Sequence, residues 1–80
     1  MHNELNNEML VQIGDQIKRL RKEKRMSVRL LAKEANLSYG TVWRMENGQQ
    51  NFTITTFSTI CRILDTYIDI HIFPISQKGS

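Results

Sequence analysis

The sequence predicts a mainly α-helical fold of four to five helices, followed by one short C-terminal β-strand. Three observations support this fold class. Four segments repeat apolar residues at helical spacing, small hydroxyl residues precede three of these segments, and the C-terminal segment instead alternates apolar and polar residues. At 80 residues the chain makes one domain with a modest core, and such domains often gain stability by associating.

Apolar stripes and end signals define the predicted helices. We expect helices over approximately residues 8–24, 28–34, 39–46 and 54–64, with Asn7 as a cap for the first. Ser27, Ser38 and Thr53 precede the last three and can cap them, because their side-chain oxygen accepts a hydrogen bond from a free backbone N–H of the first turn. Asn36 is expected to end the second helix in the left-handed conformation. Gly14 marks a place where the first helix can pack closely against a neighbour.

The C-terminal segment has the alternation of a strand. From residue 67 to 73 it places Ile68, Ile70 and Ile72 on one face, and Pro74 ends the pattern. A lone strand leaves its backbone donors and acceptors unpaired, and pairing with the same strand of a second copy across a two-fold axis would satisfy them. The sequence therefore predicts a homodimer. The alternative is an irregular apolar tail packed on its own domain.

Basic charge is concentrated in about one third of the chain. Residues 16–45 hold nine Lys and Arg and only two acidic residues, whereas the net charge of the whole chain is +3. Such an asymmetry is expected of a protein that binds a polyanion. The alternative is a first helix with a solvated basic face.

Several other function classes lack support. No apolar run approaches the roughly 20 residues that span a bilayer, and the N-terminus has no basic region followed by an apolar stretch, so we expect neither membrane insertion nor secretion. The single cysteine, Cys61, fits the apolar stripe of the fourth helix and a reducing compartment. His2 and His71 have no further ligand at metal spacing. We therefore expect no metal, cofactor or enzyme activity.

The second and third helices, joined by a tight turn, have the plan of a helix-turn-helix. In this plan the second of the two helices enters the major groove of DNA and its N-terminal side chains reach base edges. Arg44 can donate two bonds to a guanine. Trp43 is expected to point outward, toward the DNA backbone or a protein partner, and the alternative is partial burial against the second helix or the following loop. The expected base-reading positions are Ser38, Tyr39, Gly40, Thr41 and Arg44.

The run IGDQIKRLRKEKRMSVRLLAKEANLSYGTVWRMENGQ resembles the Cro/C1-type, or XRE-type, helix-turn-helix domain of phage and bacterial repressors. The resemblance extends from about residue 13 to 64 and implies a lambda-repressor-like fold. It implies that Arg21 and Glu46 form a structural ion pair. The family commonly has Gln at the position of Val28, so other groups at the start of the second helix would have to contact the DNA backbone. The implied backbone contacts are Ser27, Arg29, Gln49 and Gln50.

A narrower resemblance is to HipB-like antitoxins, through the stretch NFTITTFSTICRILDTYIDIHIF. It implies that the C-terminal strand pairs between subunits, that the protein represses its own operon, and that it binds a HipA-type serine/threonine kinase toxin. We divide the chain into a flexible N-terminus (1–7), a helix-turn-helix DNA-binding domain (8–66), a dimerisation strand (67–74) and a tail (75–80).

The expected function is sequence-specific repression by a homodimer bound to a double-stranded DNA operator, with autoregulation of a toxin–antitoxin operon. The expected location is the bacterial cytoplasm, on the nucleoid, whether the gene is bacterial or from a phage. The alternative function is a protein-interaction module that neutralises a HipA-type kinase toxin, with DNA binding secondary. A kinase-toxin gene beside this one would favour the alternative.

Overall fold

The computed structural model describes residues 7–69 and 71–75, and this part of the chain contains four α-helices. The helices are α1 (Asn7–Glu23), α2 (Val28–Ala35), α3 (Tyr39–Glu46) and α4 (Ile54–Ile63). Their ends differ from the predicted ones by at most one residue. The mainly α, lambda-repressor-like fold class is confirmed. No helix of the described part is long and apolar enough to cross a membrane.

Hydroxyl residues begin the last three helices, as the sequence predicts. Ser27, Ser38 and Thr53 have extended backbone conformations, and each side-chain oxygen accepts a hydrogen bond at 3.0 or 3.1 Å from the backbone N–H three residues later. Each bond satisfies a donor that the first helical turn leaves free, and losing such a cap costs about 1 kcal/mol. The caps therefore define where α2, α3 and α4 begin.

All four helices end in the same way. Arg25, Asn36, Gly48 and Asp65 have φ of 59°, 58°, 68° and 58°, which is the left-handed region. In each case the N–H of the following residue bonds to the carbonyl five positions earlier, at 2.8 to 3.1 Å. These are Schellman caps, which return the chain sharply toward the next helix. The expectation for Asn36 is confirmed. Arg25 and Asp65 adopt the same left-handed conformation, which is energetically unfavourable for residues that carry a Cβ atom.

The core lies where α1, α2, α3 and α4 meet. Its most enclosed side chains are those of Ile17, Leu31, Val42, Met45 and Ile60, each no more than 2% exposed. α3 packs against both α1 and α2, and α2 also packs against α4. Because α3 is held from two sides, its remaining face is the one that can meet a ligand.

Two glycines allow α1 to lie directly against the end of α3. A Cβ atom on Gly14 would lie 2.2 Å from the carbonyl oxygen of Met45, and one on Gly48 would lie 2.6 Å from Cγ2 of Val11. Gly48 also has a positive φ of 68°. The close approach predicted at Gly14 is thus present, and its neighbour is the backbone at the end of α3.

The C-terminal segment follows α4 without a strand in residues 67–69 and 71–75. Ile68 is half-buried and Ile72 is 88% exposed, whereas Ile70 lies outside the described residues. A strand is defined by its hydrogen bonds to a neighbouring strand, and in the prediction that neighbour belongs to a second copy. The paired strand and the homodimer therefore remain predictions.

Candidate DNA-binding surface

α3 has a buried face and an exposed face. Val42 and Met45 are 0% and 1% exposed, whereas Tyr39 and Trp43 are 48% and 42% exposed. Tyr39 and Trp43 are four residues apart and so lie on the same side of the helix. Two large aromatic side chains with polar tips therefore line the outer surface of α3, and Trp43 faces outward as the sequence predicts.

At the start of α3 two hydroxyl side chains bond to each other and to the backbone. The Ser38 hydroxyl accepts from the Thr41 backbone N–H at 3.0 Å and donates to the Thr41 hydroxyl at 2.8 Å. Both side chains were expected to read bases. The Ser38 oxygen caps the helix and holds the first turn of α3 in place.

Arg44 lies along the outer surface of α3. Its Nε donates a hydrogen bond of 2.8 Å to Oε1 of Gln50, which lies in the loop after the helix. Its guanidinium also lies over Gly40, where a Cβ atom would be 3.2 Å from Nη1 and 3.8 Å from Cζ. The guanidinium thus occupies the space that a side chain at position 40 would take.

Arg29 and Tyr39 connect α2 to α3 at the exposed surface. The guanidinium carbon of Arg29 lies 5.3 Å from the centroid of the Tyr39 ring, which is within range of a cation–π interaction. Arg29 is exposed, so its N–H groups remain accessible to an anion. The contact places a positive charge beside the N-terminus of α3.

The N-terminus of α2 lies next in this surface. Ser27 is occupied as its N-cap, and the Val28 side chain is half-buried and packs against the core. Val28 therefore supplies apolar packing where the family commonly has Gln. Arg29 is then the charged side chain of this turn that faces solvent. In the loop after α3, Gln49 is exposed and Gln50 is half-buried.

A buried ion pair fixes the orientation of α3. Arg21 donates from Nε to Oε2 of Glu46 at 2.6 Å and from Nη2 to Oε1 at 3.0 Å, so the pair is bidentate. Arg21 also donates from Nη1 to the carbonyl of Met26 at 2.7 Å. Its side chain is 9% exposed and that of Glu46 is 3% exposed. One guanidinium thus joins α1, the α1–α2 turn and the end of α3.

Ile68, one of the residues expected in the dimer interface, lies apart from this surface. Ile68 lines an apolar groove of about 530 Å³ between α1, α4 and the start of the C-terminal segment. The groove is also lined by Met9, Ile13, Leu20, Phe57 and Tyr67. Among the described residues no group of His, Cys, Asp or Glu could hold a metal ion.

Three contacts of this surface were not predicted from the sequence. These are the Arg44–Gln50 bond, the Arg29–Tyr39 contact and the position of the Arg44 guanidinium over Gly40. The four-residue spacing of Gly40 and Arg44 was a usable signal, because residues at that spacing are neighbours on a helix. The other two contacts join residues of different elements, and no local sequence pattern predicts them.

Comparison with known proteins identifies the family. A family model described as a helix-turn-helix domain matches residues 12–68. The restriction-modification controller protein C.AhdI from Aeromonas hydrophila is 30% identical, with coverage of 71% of this chain and 86% of that chain and a TM-score of 0.69. No curated protein matches the chain by sequence.

Two further solved structures contain similar chains within complexes. One, from the SinR protein/SinI protein complex, is 30% identical over 69% of this chain and 54% of its own length, with a TM-score of 0.62. One from a HipA–HipB–O2–O3 complex is 22% identical over 92% of this chain and 100% of its own length, with a TM-score of 0.68, and this likeness concerns the fold alone. Together with the exposed outer face of α3, these findings show that the chain belongs to the helix-turn-helix domain family, of the Cro/C1 type, and is a DNA-binding transcription regulator, not an enzyme.

Proposed function

We propose that this regulator is a sequence-specific repressor whose α3 reads an operator in the major groove. The outer face of α3 carries the proposal, because it exposes Tyr39, Trp43 and Arg44 while Val42 and Met45 are buried. An α-helix of this kind fits the major groove of B-DNA, where Arg donates two bonds to guanine. Thr41 offers a methyl group and a hydroxyl to a neighbouring base.

The distribution of basic charge supports contacts between the protein and the DNA phosphate backbone around this helix. Nine of the eleven Lys and Arg residues lie between residues 16 and 45, and Arg29 is exposed beside the start of α3. Ser27 and Gln49 are proposed to face phosphates next to it. Each phosphate that is neutralised releases counterions, so affinity should fall by about a thousandfold between roughly 50 and 200 mM salt for about six contacts.

The repressor is proposed to act as a homodimer. The alternating segment with Ile68, Ile70 and Ile72 would pair between two copies, and the exposed apolar residues Tyr67 and Phe73 belong to the same segment. Two copies related by a two-fold axis would present α3 to half-sites about one helical turn apart, on a near-palindromic operator. Such a dimer would act in the cytoplasm, on the nucleoid.

A gel-shift titration with the region upstream of the protein's own gene tests this function. We expect specific binding that exceeds binding to a random duplex by at least about a thousandfold. Arg44→Ala should lower that ratio by about tenfold or more, because one bidentate contact with a base is lost. Arg62→Ala on α4 removes the same charge elsewhere and is the matched control. If both variants change the ratio equally, Arg44 does not read a base.

A second function, antitoxin activity, is favoured by the exposed apolar residues of the C-terminal segment. Tyr67, Ile72, Phe73 and Ile75 are 74% to 88% exposed, and large apolar residues exposed so close together in the chain suit a protein partner. The similar chain in the HipA–HipB complex makes a HipA-type kinase the partner to test. Co-expression with a neighbouring kinase gene should yield a complex and restore growth. If the kinase stays toxic and unbound, the antitoxin function fails while DNA binding is unaffected.

A further inference from the structure

The Arg44 side chain has a hydrogen-bond partner within the chain. Its Nε–H is used by Oε1 of Gln50 at 2.8 Å, and its guanidinium occupies the space beside the bare backbone of Gly40, with Nη1 at 3.2 Å from the ideal Cβ position. Gln50 follows the helix, whereas Gly40 lies one helical turn earlier on α3. A free Arg on a helix surface samples many rotamers; the bond to Gln50 restricts that freedom, and the missing side chain of Gly40 leaves room for the bonded arrangement.

We propose that Gly40 and Gln50 are positioning residues that preorganise Arg44 for base recognition. This inference rests on the proposed role of Arg44 as a base reader. A guanidinium has five N–H donors, and the bond to Gln50 uses the one on Nε. The donors on Nη1 and Nη2 lie on one edge of the planar group and suit the two acceptors that guanine presents in the major groove. Gln50 therefore selects which edge of Arg44 meets the base.

Gln50 and Gly40 thereby have different roles from those that the sequence predicts. Gln50 was expected to contact phosphate, which would strengthen binding to every sequence equally. As a positioning residue it instead affects discrimination at the base that Arg44 reads. Gly40 was expected among the base-reading positions, whereas its missing side chain leaves room for the Arg44 guanidinium.

The test measures specificity one base pair at a time. The probe is a duplex selected by the wild-type protein from a randomised pool, together with its single-base-pair variants. We expect Gln50→Ala to reduce discrimination roughly threefold to tenfold, at the base pair where Arg44→Ala reduces it. In the Arg44→Ala background, Gln50→Ala should have no further effect on discrimination. Asn51→Ala, at an exposed residue of the same loop, is the matched control and should leave discrimination unchanged.

Other results would contradict either the positioning role of Gln50 or the base-reading role of Arg44. If Gln50→Ala weakens binding to all duplexes equally, or adds its full effect in the Arg44→Ala background, Gln50 does not act through Arg44. If Arg44→Ala reduces discrimination and Gln50→Ala does not, the positioning role alone is wrong. If Arg44→Ala itself leaves discrimination unchanged, the proposed base-reading role of Arg44 fails, and the positioning role fails with it.

Gly40→Ala provides a second measurement that a folding defect cannot mimic. The added methyl group meets only the far end of a flexible side chain, and Ala favours helix more than Gly, so the melting temperature should stay the same or rise. Discrimination at the Arg44 base pair should nevertheless fall. In the Arg44→Ala background this loss should disappear. A loss that persists there would mean that the methyl group clashes with DNA directly, which would overturn the positioning role of Gly40.

Discussion

Arg21 and Glu46 form a buried, bidentate ion pair that joins the end of α1 to the last residue of α3. The guanidinium also bonds to the carbonyl of Met26, so three N–H groups have protein acceptors. Because both charges are removed from water, each buried charge is compensated by the opposite charge of its partner. The pair therefore couples the stability of the domain to the position of α3.

We expect Arg21→Ala to destabilise the domain by about 3–5 kcal/mol, because it leaves the Glu46 carboxylate buried without its partner. Arg21→Lys should recover little of this loss, since an ammonium cannot replace the forked geometry or reach both Glu46 and Met26 in the same way. Urea denaturation followed by circular dichroism measures both variants.

Lys24→Ala is the control for the Arg21 prediction, because it breaks the exposed ion pair with Asp65. An exposed pair contributes at most about 1 kcal/mol. If Arg21→Ala and Lys24→Ala had equal effects on the free energy of unfolding, burial of the Arg21–Glu46 pair would not matter and the coupling described above would be wrong.

Gly14→Ala should lower the melting temperature although Ala favours helix by about 1 kcal/mol. The added Cβ atom would lie 2.2 Å from a backbone carbonyl oxygen at the end of α3, and backbone cannot move aside as a side chain can. Such overpacking typically costs about 1–3 kcal/mol. Gly40→Ala makes the same chemical change on the open side of α3 and should not lower it. An increase for Gly14→Ala would contradict the close approach of α1 to α3.

The sequence predicts the parts of this fold that depend on local chemistry. Ser27, Ser38 and Thr53 are recognisable as caps because the signal lies within one helical turn of the helix that they begin. By contrast, the neighbour of Gly14 becomes known only once distant segments are packed, and the acceptor of Arg44 depends on the path of the loop after α3. The partner of the strand predicted over residues 67–73 cannot be identified from the packing of one chain, since in the prediction it belongs to another molecule.

Tyr39 should have separable roles in stability and in DNA binding. Tyr39→Ala removes the ring beside the Arg29 guanidinium and should cost about 0.5–1 kcal/mol, whereas Tyr39→Phe keeps the ring and should change stability by less than about 0.5 kcal/mol. Thermal melting measures stability and fluorescence anisotropy measures affinity for the selected duplex. Equal destabilisation by Tyr39→Ala and Tyr39→Phe would show that the ring–guanidinium contact contributes nothing.

The dimer prediction can be tested without DNA. Analytical ultracentrifugation at micromolar concentration should show a dimer, and Ile70→Asp should shift it to monomer because a charge would enter the apolar face of the paired strands. Asp69→Ser changes the opposite face of the alternating segment and should remain dimeric. A wild-type chain that sediments as a monomer over this range would refute pairing through this segment.

The most direct test of the central claim is to map the DNA contact surface by NMR. Labelled wild-type protein is titrated with the selected duplex, and backbone amide shifts are followed residue by residue. We expect the largest changes at Tyr39, Thr41 and Arg44 on α3 and at Arg29 on α2, with little change along the exposed face of α4. Changes concentrated on α4, with α3 unaffected, would contradict the claim that α3 reads DNA.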